Sequence, residues 1–263
     1  MIYRNGIMNN IIMTFKKIVS AIAVTLGLSA CVGGLFGEIG NGVSMTHEIE
    51  VGDFDRISIP SFVDVYYTQT SGASSVTLTC DENLIEYYKI EVRNGELVVD
   101  CRRVFYNKID TYLTVCSPVI NGVKLSGSGD LYIDEALTAE DDFNIEVCGS
   151  GDAEIAGVSA SSATVRLSGS GDAEIGSMVV SSAEFKTSGS GDIEADEVTA
   201  ESISIKTTGS GDCYIDCKDS GSISVQISGS GDVSLRGTAR SIVNISQTGS
   251  GDFDMSGLAV SGK

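Results

Sequence analysis

The chain has 263 residues, with 17 Lys+Arg against 36 Asp+Glu for a formal charge of −19, one His, two Pro and no Trp. This acidity argues against nucleic acid as a partner and against electrostatic docking on anionic lipid. His47 is the only histidine, which argues against zinc and leaves no Ser-His-Asp or Cys-His arrangement to assemble.

Taken from the start, residues 1–30 read as an export segment. Lys16 and Lys17 precede an apolar run over 18–26, followed by Leu28-Ser29-Ala30-Cys31. The apolar stretch is too short for a stable membrane span and fits a cleaved signal. Leu28-Ser29-Ala30-Cys31 resembles a bacterial lipobox, which implies that Cys31 becomes the lipidated first residue of an outer-membrane-anchored protein. The alternative is an ordinary secretory signal in which Cys31 is incidental. Gly-rich residues 31–45 read as a flexible tether.

Residues 46–125 are expected to form irregular β-helix coils. Strands are predicted over 47–51, 56–59, 63–68, 75–79, 89–93, 96–100, 111–115 and 122–125, with Asn94-Gly95 as a hairpin turn. Residues 81–88 suit a helical turn or two with Asp81 as its N-cap. Export permits disulfides among the other six cysteines. Cys213 and Cys217, roughly 13 Å apart on one strand face, are too distant to bridge. Cys80 with Cys101 or Cys116 is the pairing worth checking.

From residue 126 to 263 the chain repeats. Gly-Ser-Gly-Asp begins at Gly127, Gly149, Gly169, Gly189, Gly209, Gly229 and Gly249, a first step of 22 residues and then five of 20. Stacked at that offset, apolar residues align in columns: Ala153, Ala173, Ile193, Cys213, Val233, Phe253, and two residues on Ile155, Ile175, Ala195, Ile215, Leu235, Met255. A second strand gives Ala163, Ala183, Ile203, Ile223, Val243 and then Val165, Phe185, Ile205, Val225, Ile245. A weaker third column holds Val158, Met178 and Val198. Alternation of period two inside each strand, with like residues stacking between repeats, predicts an all-β parallel β-helix with coils of about 20 residues.

Each corner carries glycines at Gly149 and Gly151, Gly169 and Gly171, Gly189 and Gly191, Gly209 and Gly211, and Gly229 and Gly231. Their expected role is a positive φ at a tight turn. The Asp carboxylate is expected to accept backbone N–H groups in an Asx-turn. Asp152, Asp172, Asp192, Asp212 and Asp232 stack in one row, where neighbours repel by roughly 1–3 kcal/mol. Backbone donors, the basic column Arg166, Lys186 and Lys206, or a ladder of calcium ions could offset that. No carboxylate pair is singled out as acid and base, and no phosphate-binding loop is present, so no catalytic residue is assigned and the chain reads as a non-enzyme.

Several motifs recur in one order: Val51-Gly52-Asp53-Phe54-Asp55-Arg56-Ile57, Val63-Asp64-Val65, Val76-Thr77-Leu78, Asp81-Glu82-Asn83-Leu84, Asn94-Gly95-Glu96-Leu97-Val98-Val99 and Leu125-Ser126-Gly127-Ser128-Gly129-Asp130. Together they resemble the bacterial putative auto-transporter adhesin, head GIN domain family, a domain of unknown function common in Bacteroidetes lipoproteins. The resemblance runs from about residue 46 to the C-terminus. It implies a right-handed parallel β-helix and brings no catalytic residues. No C-terminal β-barrel pattern is recognisable, so the lipid is expected to replace self-translocation. The function expected is a cell-envelope adhesin or binding module for a glycan or an envelope protein. The alternatives are a periplasmic structural or sensing protein and, behind it, a calcium-dependent polysaccharide-active β-helix enzyme. Self-association through an exposed C-terminal coil is also expected.

Overall fold

The computed structural model describes residues 37–106 and 108–262. The signal segment and Cys31 lie outside the described residues. Parallel strands stack coil upon coil, and their inward side chains form one continuous core from Phe54 to Leu258. Three faces run along the stack. In the early coils the first carries Leu131–Ile133, Ala153–Ile155 and Ala173–Ile175. The second carries Leu137–Thr138 and Val158–Ser159. The third carries Gly122–Leu125, Asp142–Val147 and Ser162–Leu167. In later coils strand pairing continues around the corners, so that single strands, Ile193–Thr207, Cys213–Ile227 and Val233–Gln247, run through all three faces.

The register follows the 20-residue offset. Ala153 pairs with Ala173, Ala173 with Ile193, Ile193 with Cys213, Cys213 with Val233 and Val233 with Phe253. The weak column is a full third wall: Leu137, Val158, Met178, Val198 and Cys217 stack and are all buried. One column departs from its expected course. Ile223 pairs with Ile242 rather than Val243, and a register shift turns Val243 outward, where it is 65% exposed. Register shifts flank the second face: between Ala195 and Val198, where Glu197 has a positive φ, and between Cys217 and Ser220, where Asp219 does; Gly237, opposite Cys217, has one too.

The N-terminal part is not a simple run of coils. Arg56–Ile59 and Asp64–Gln69 make one turn. The chain then leaves, builds Ser75–Asp81, Tyr88–Arg93, Glu96–Cys101 and Tyr112–Ser117 on one side of that turn, and returns at Gly122 on the other. Arg56–Ile59 is thus held between Glu96–Cys101 and Gly122–Leu125, parallel to both. Antiparallel pairs close this end: Ser75–Asp81 against Tyr112–Ser117, Ser44–Ile49 against Ser75–Asp81, and Tyr88–Arg93 against Glu96–Cys101. Such pairing covers an edge that would otherwise template aggregation.

Residues 37–45, expected in the tether, instead belong to the fold. Glu38–Ile39 pairs with Phe105–Tyr106, and Ser44 opens the strand against Asp81. The residue that anchors this segment is Asp81. It sits before the 3-10 helix Glu82–Tyr87, but its side chain does not cap that helix. The fully buried carboxylate accepts the backbone N–H of Gly42 at 2.6 Å and of Ile109 at 2.9 Å, tying two remote segments together. The six described cysteines are free, so the expected pairing of Cys80 with Cys101 or Cys116 is not made. Cys80 points into the core, and Cys116 lies opposite Ser75, five residues before Cys80 on the same strand. Burial pushes the Cys80 and Cys217 thiols up to about 11, which leaves them inert as nucleophiles.

Candidate binding surfaces

The Gly-Ser-Gly-Asp corners stack in register, and contact rather than backbone conformation explains their glycines. Positive φ is confined, among the described glycines, to Gly42, Gly95 and Gly237. A Cβ on Gly149, Gly169, Gly189, Gly209 or Gly229 would instead collide with the carbonyl oxygen of the first corner glycine one coil earlier. A Cβ on Gly151, Gly171, Gly191, Gly211 or Gly231 would strike that of the second. The carbonyls of the first corner glycines are engaged: Gly149 O accepts Ser170 N–H at 2.9 Å and Gly171 N–H at 3.3 Å.

The aspartates form a hydrogen-bonded ladder rather than separate Asx-turns. Asp152 Oδ1 accepts the backbone N–H of Asp172 at 2.8 Å, Asp172 that of Asp192 at 2.7 Å, Asp192 that of Asp212 at 2.6 Å, and Asp212 that of Asp232 at 2.8 Å. The row continues to Asp252 and begins at Asp64, whose Oδ1 accepts Asp130 N–H at 3.1 Å. A charge-assisted bond from each following coil offsets the repulsion between stacked carboxylates. Tyr132 and Tyr214 donate their hydroxyls to the second oxygens of Asp130 and Asp212. Among the described residues, no group of three or more His, Cys, Asp or Glu is arranged to hold a metal ion.

Beside this ladder the first face presents a second outward column: Tyr66, Tyr132, Glu154, Glu174, Glu194, Tyr214. Tyr66 and Tyr132 stack with ring centroids 5.0 Å apart, and Tyr112 meets Tyr66 edge-on at 5.9 Å. Tyr66 is 42% exposed, so the three rings make an aromatic ledge open to solvent. Sequence inspection misses it, because Tyr66 and Tyr132 become neighbours only through the return of the chain at Gly122.

Glu174 lies between two carboxylates of the same column. Partial desolvation, then the charges of Glu154 and Glu194, raise its pKa above the ordinary 4.5. The folded state therefore holds that proton more tightly than the unfolded chain. Below the ordinary value both states are protonated and the group contributes nothing. As pH rises past it, the unfolded chain ionises first and stability falls until the folded carboxyl has ionised too. Glu174→Gln is expected to raise the melting temperature at pH 7 in low salt and to leave it unchanged at pH 4. Equal melting of wild type and variant at both pH values would remove this account.

On the third face the outward column is Lys124, Glu146, Arg166, Lys186, Lys206, Gln226. Glu146 pairs with Lys124 at 3.0 Å, while Glu184 reaches Lys186 at 2.6 Å and Arg166 at 3.8 Å. The three cations expected near the Asp row are thus gathered on another face, where they border a shallow groove of about 290 Å³ with Ser168, Ser188 and Thr208.

Solved structures of similar fold come from Bacteroides and Parabacteroides. A putative adhesin from Bacteroides fragilis superposes with a TM-score of 0.75 at 23% identity, covering 83% of this chain and 99% of that one. A putative adhesin from Parabacteroides distasonis gives 0.66 at 20%, over 82% and 98%. A protein from Parabacteroides distasonis described as a putative lipid binding protein gives 0.59 at 23%, over 82% and 99%. At these identities the likeness is one of fold. No match is found among curated proteins. The sequence profile described as putative auto-transporter adhesin, head GIN domain, matches residues 53–239 and 184–262. With most of its length matched by that profile, the chain belongs to the head GIN domain family.

Proposed function

We propose that this protein is a non-catalytic binding module of the cell envelope, carried on a lipid at Cys31, that holds a glycan along its stacked strands. The observation that supports it is the aromatic ledge of Tyr66, Tyr112 and Tyr132 beside the Asp ladder. Aromatic faces cover the apolar faces of sugar rings, and flanking carboxylates accept from sugar hydroxyls. The family and the similar structures carry the names of adhesins, which agrees with a binding role. A non-catalytic role fits the repetition of the surface: outward groups form uniform columns instead of converging on one reacting atom.

Two measurements test the reading. In a glycan array, wild-type protein is expected to retain at least one glycan class, and Tyr66→Ala with Tyr132→Ala is expected to lose it. Retention unchanged in the double variant would sink the ledge as the contact. External protease applied to intact cells, with a periplasmic control, tests the placement. Digestion supports surface display. Protection until lysis favours an inward-facing structural or sensing protein, a reading motivated by the neutral Val32-Gly33-Gly34-Leu35-Phe36 after Cys31.

Under this proposal the Asp ladder is satisfied by backbone donors and needs no calcium. Removing calcium with a chelator is expected to leave the melting temperature unchanged, whereas a fall of several degrees would assign the ladder to cation binding.

A further inference from the structure

The two long faces differ in charge. The first bears the Asp ladder and the Glu154, Glu174, Glu194 column. The third bears four cations in one column, Lys124, Arg166, Lys186 and Lys206, against the three carboxylates of Asp142, Glu146 and Glu184. Lys206 makes no ion pair with any described residue, and one carboxylate, Glu184, is shared between Arg166 and Lys186. This is a local positive excess on a chain of net charge −19. Screening over about 8 Å at physiological salt separates the two faces, so a ligand on the third face meets the local cations rather than the net charge.

The hydroxyls beside the column restrict the ligand further. Ser188 Oγ donates to Leu167 O at 3.3 Å, Thr208 Oγ1 to Thr187 O at 3.2 Å and Ser228 Oγ to Thr207 O at 3.4 Å. Their hydrogens are committed to the backbone of the preceding coil, so toward solvent they act as acceptors. A row of cations beside a row of acceptors suits a polymer that alternates anionic groups with hydroxyl donors. A bare phosphate would bring acceptors to acceptors. Because both rows repeat at the spacing of the coils, about 4.8 Å, the matching ligand is linear and runs along the solenoid axis.

From this geometry we infer that the third face is a binding strip for a linear acidic glycan, a polyuronate or a sulfated polysaccharide. Arg166, Lys186 and Lys206 meet its anionic groups, and Ser188, Thr208 and Ser228 accept from its hydroxyls. The inference rests on the glycan-binding reading above and adds a second face and a ligand class to it.

The test is titration of the full-length protein with polygalacturonate oligosaccharides and with dextran sulfate, using uncharged dextran and phosphatidylglycerol vesicles as comparisons. Wild type is expected to bind at least one of the two anionic glycans, with affinity falling as salt rises. The triple variant Arg166→Gln, Lys186→Gln, Lys206→Gln is expected to lose about ten-fold or more, since three charge contacts go together. Glu184→Gln, which frees both of its partners, is expected to tighten binding. All four side chains are on the surface, and unchanged melting of each variant confirms that its fold is intact.

No binding to either anionic glycan overturns the inference, as does binding that the triple variant does not weaken. Preference for phosphatidylglycerol vesicles over both glycans assigns the strip to a lipid headgroup and overturns it too. The aromatic ledge is judged separately: a glycan lost in Tyr66→Ala with Tyr132→Ala but kept in the triple variant leaves the functional reading standing while this strip fails.

Discussion

Gly191→Ala is expected to cost about 3 kcal/mol of stability, the upper end of what overpacking a filled interior does. One methyl group has this effect because there is no space for it. Its carbon would overlap the carbonyl of Gly171 in the coil below, and that carbonyl is fixed in a rigid stack. To admit it, two coils must part, and the loss extends to the strand ladders on either side of the corner. Stability in a stacked array is a sum over neighbouring interfaces, so a lesson in the centre also weakens the coupling between halves. Gly52→Ala is the control, since nothing lies within 4 Å of a Cβ there and φ is not positive. That variant is expected to be neutral or slightly stabilising. Urea unfolding of both decides the matter: similar stability for the two would show that corner glycines answer to something other than contact.

Asp81→Ala is the second large effect, expected to cost about 3 kcal/mol through two orphaned backbone donors. The carboxylate is fully buried, and beyond the short pairing of Glu38–Ile39 with Phe105–Tyr106 it is what ties the segments at Gly42 and Ile109 together. Gly40 packs so closely against it that a Cβ at that position would meet the carboxyl group. Asp81→Asn keeps one acceptor but turns an amide toward the other N–H, and an intermediate loss is expected. Faster hydrogen exchange at the amides of Gly42 and Ile109, with the central coils unchanged, would locate the damage at the N-terminal end. A drop in stability without that local signature would mean the carboxylate acts elsewhere.

These two sites also mark what sequence shows and what it hides. Alternation within strands and the 20-residue offset place Ile155, Ile175, Val165 and Phe185 in the core because periodicity reports contacts between adjacent coils directly. The same offset aligns the aspartates. The reason for the glycines is less visible: a tight turn and a close stack both select Gly, and only the φ values separate them. Ser61 and Val63 occupy the corresponding positions of the first turn, beneath Gly127 and Gly129. Each glycine is required by the coil below it, and below Ser61 lies Val99, whose carbonyl receives the Ser61 hydroxyl instead. The first corner therefore lacks the motif and escapes a motif search. Asp81 reads as an N-cap because caps are local, whereas its partners are 39 and 28 residues away. Tyr66 meets Tyr132 across 66 positions because the chain reverses its stacking direction, and no local pattern encodes that reversal. Val243 misleads for the opposite reason: the period continues in sequence while a bulge shifts the strand beneath it.

The aspartate ladder gives every corner the same two connectors, a backbone N–H facing one neighbour and a carboxylate oxygen facing the other. Any coil from Asp152 to Asp232 can thus follow any other without altering the joint. At the gene level such a chain can lengthen or shorten by unequal recombination between near-identical stretches, in whole steps of one coil. Selection can then set the length of the molecule as a ruler is cut, independently of whatever chemistry its faces carry.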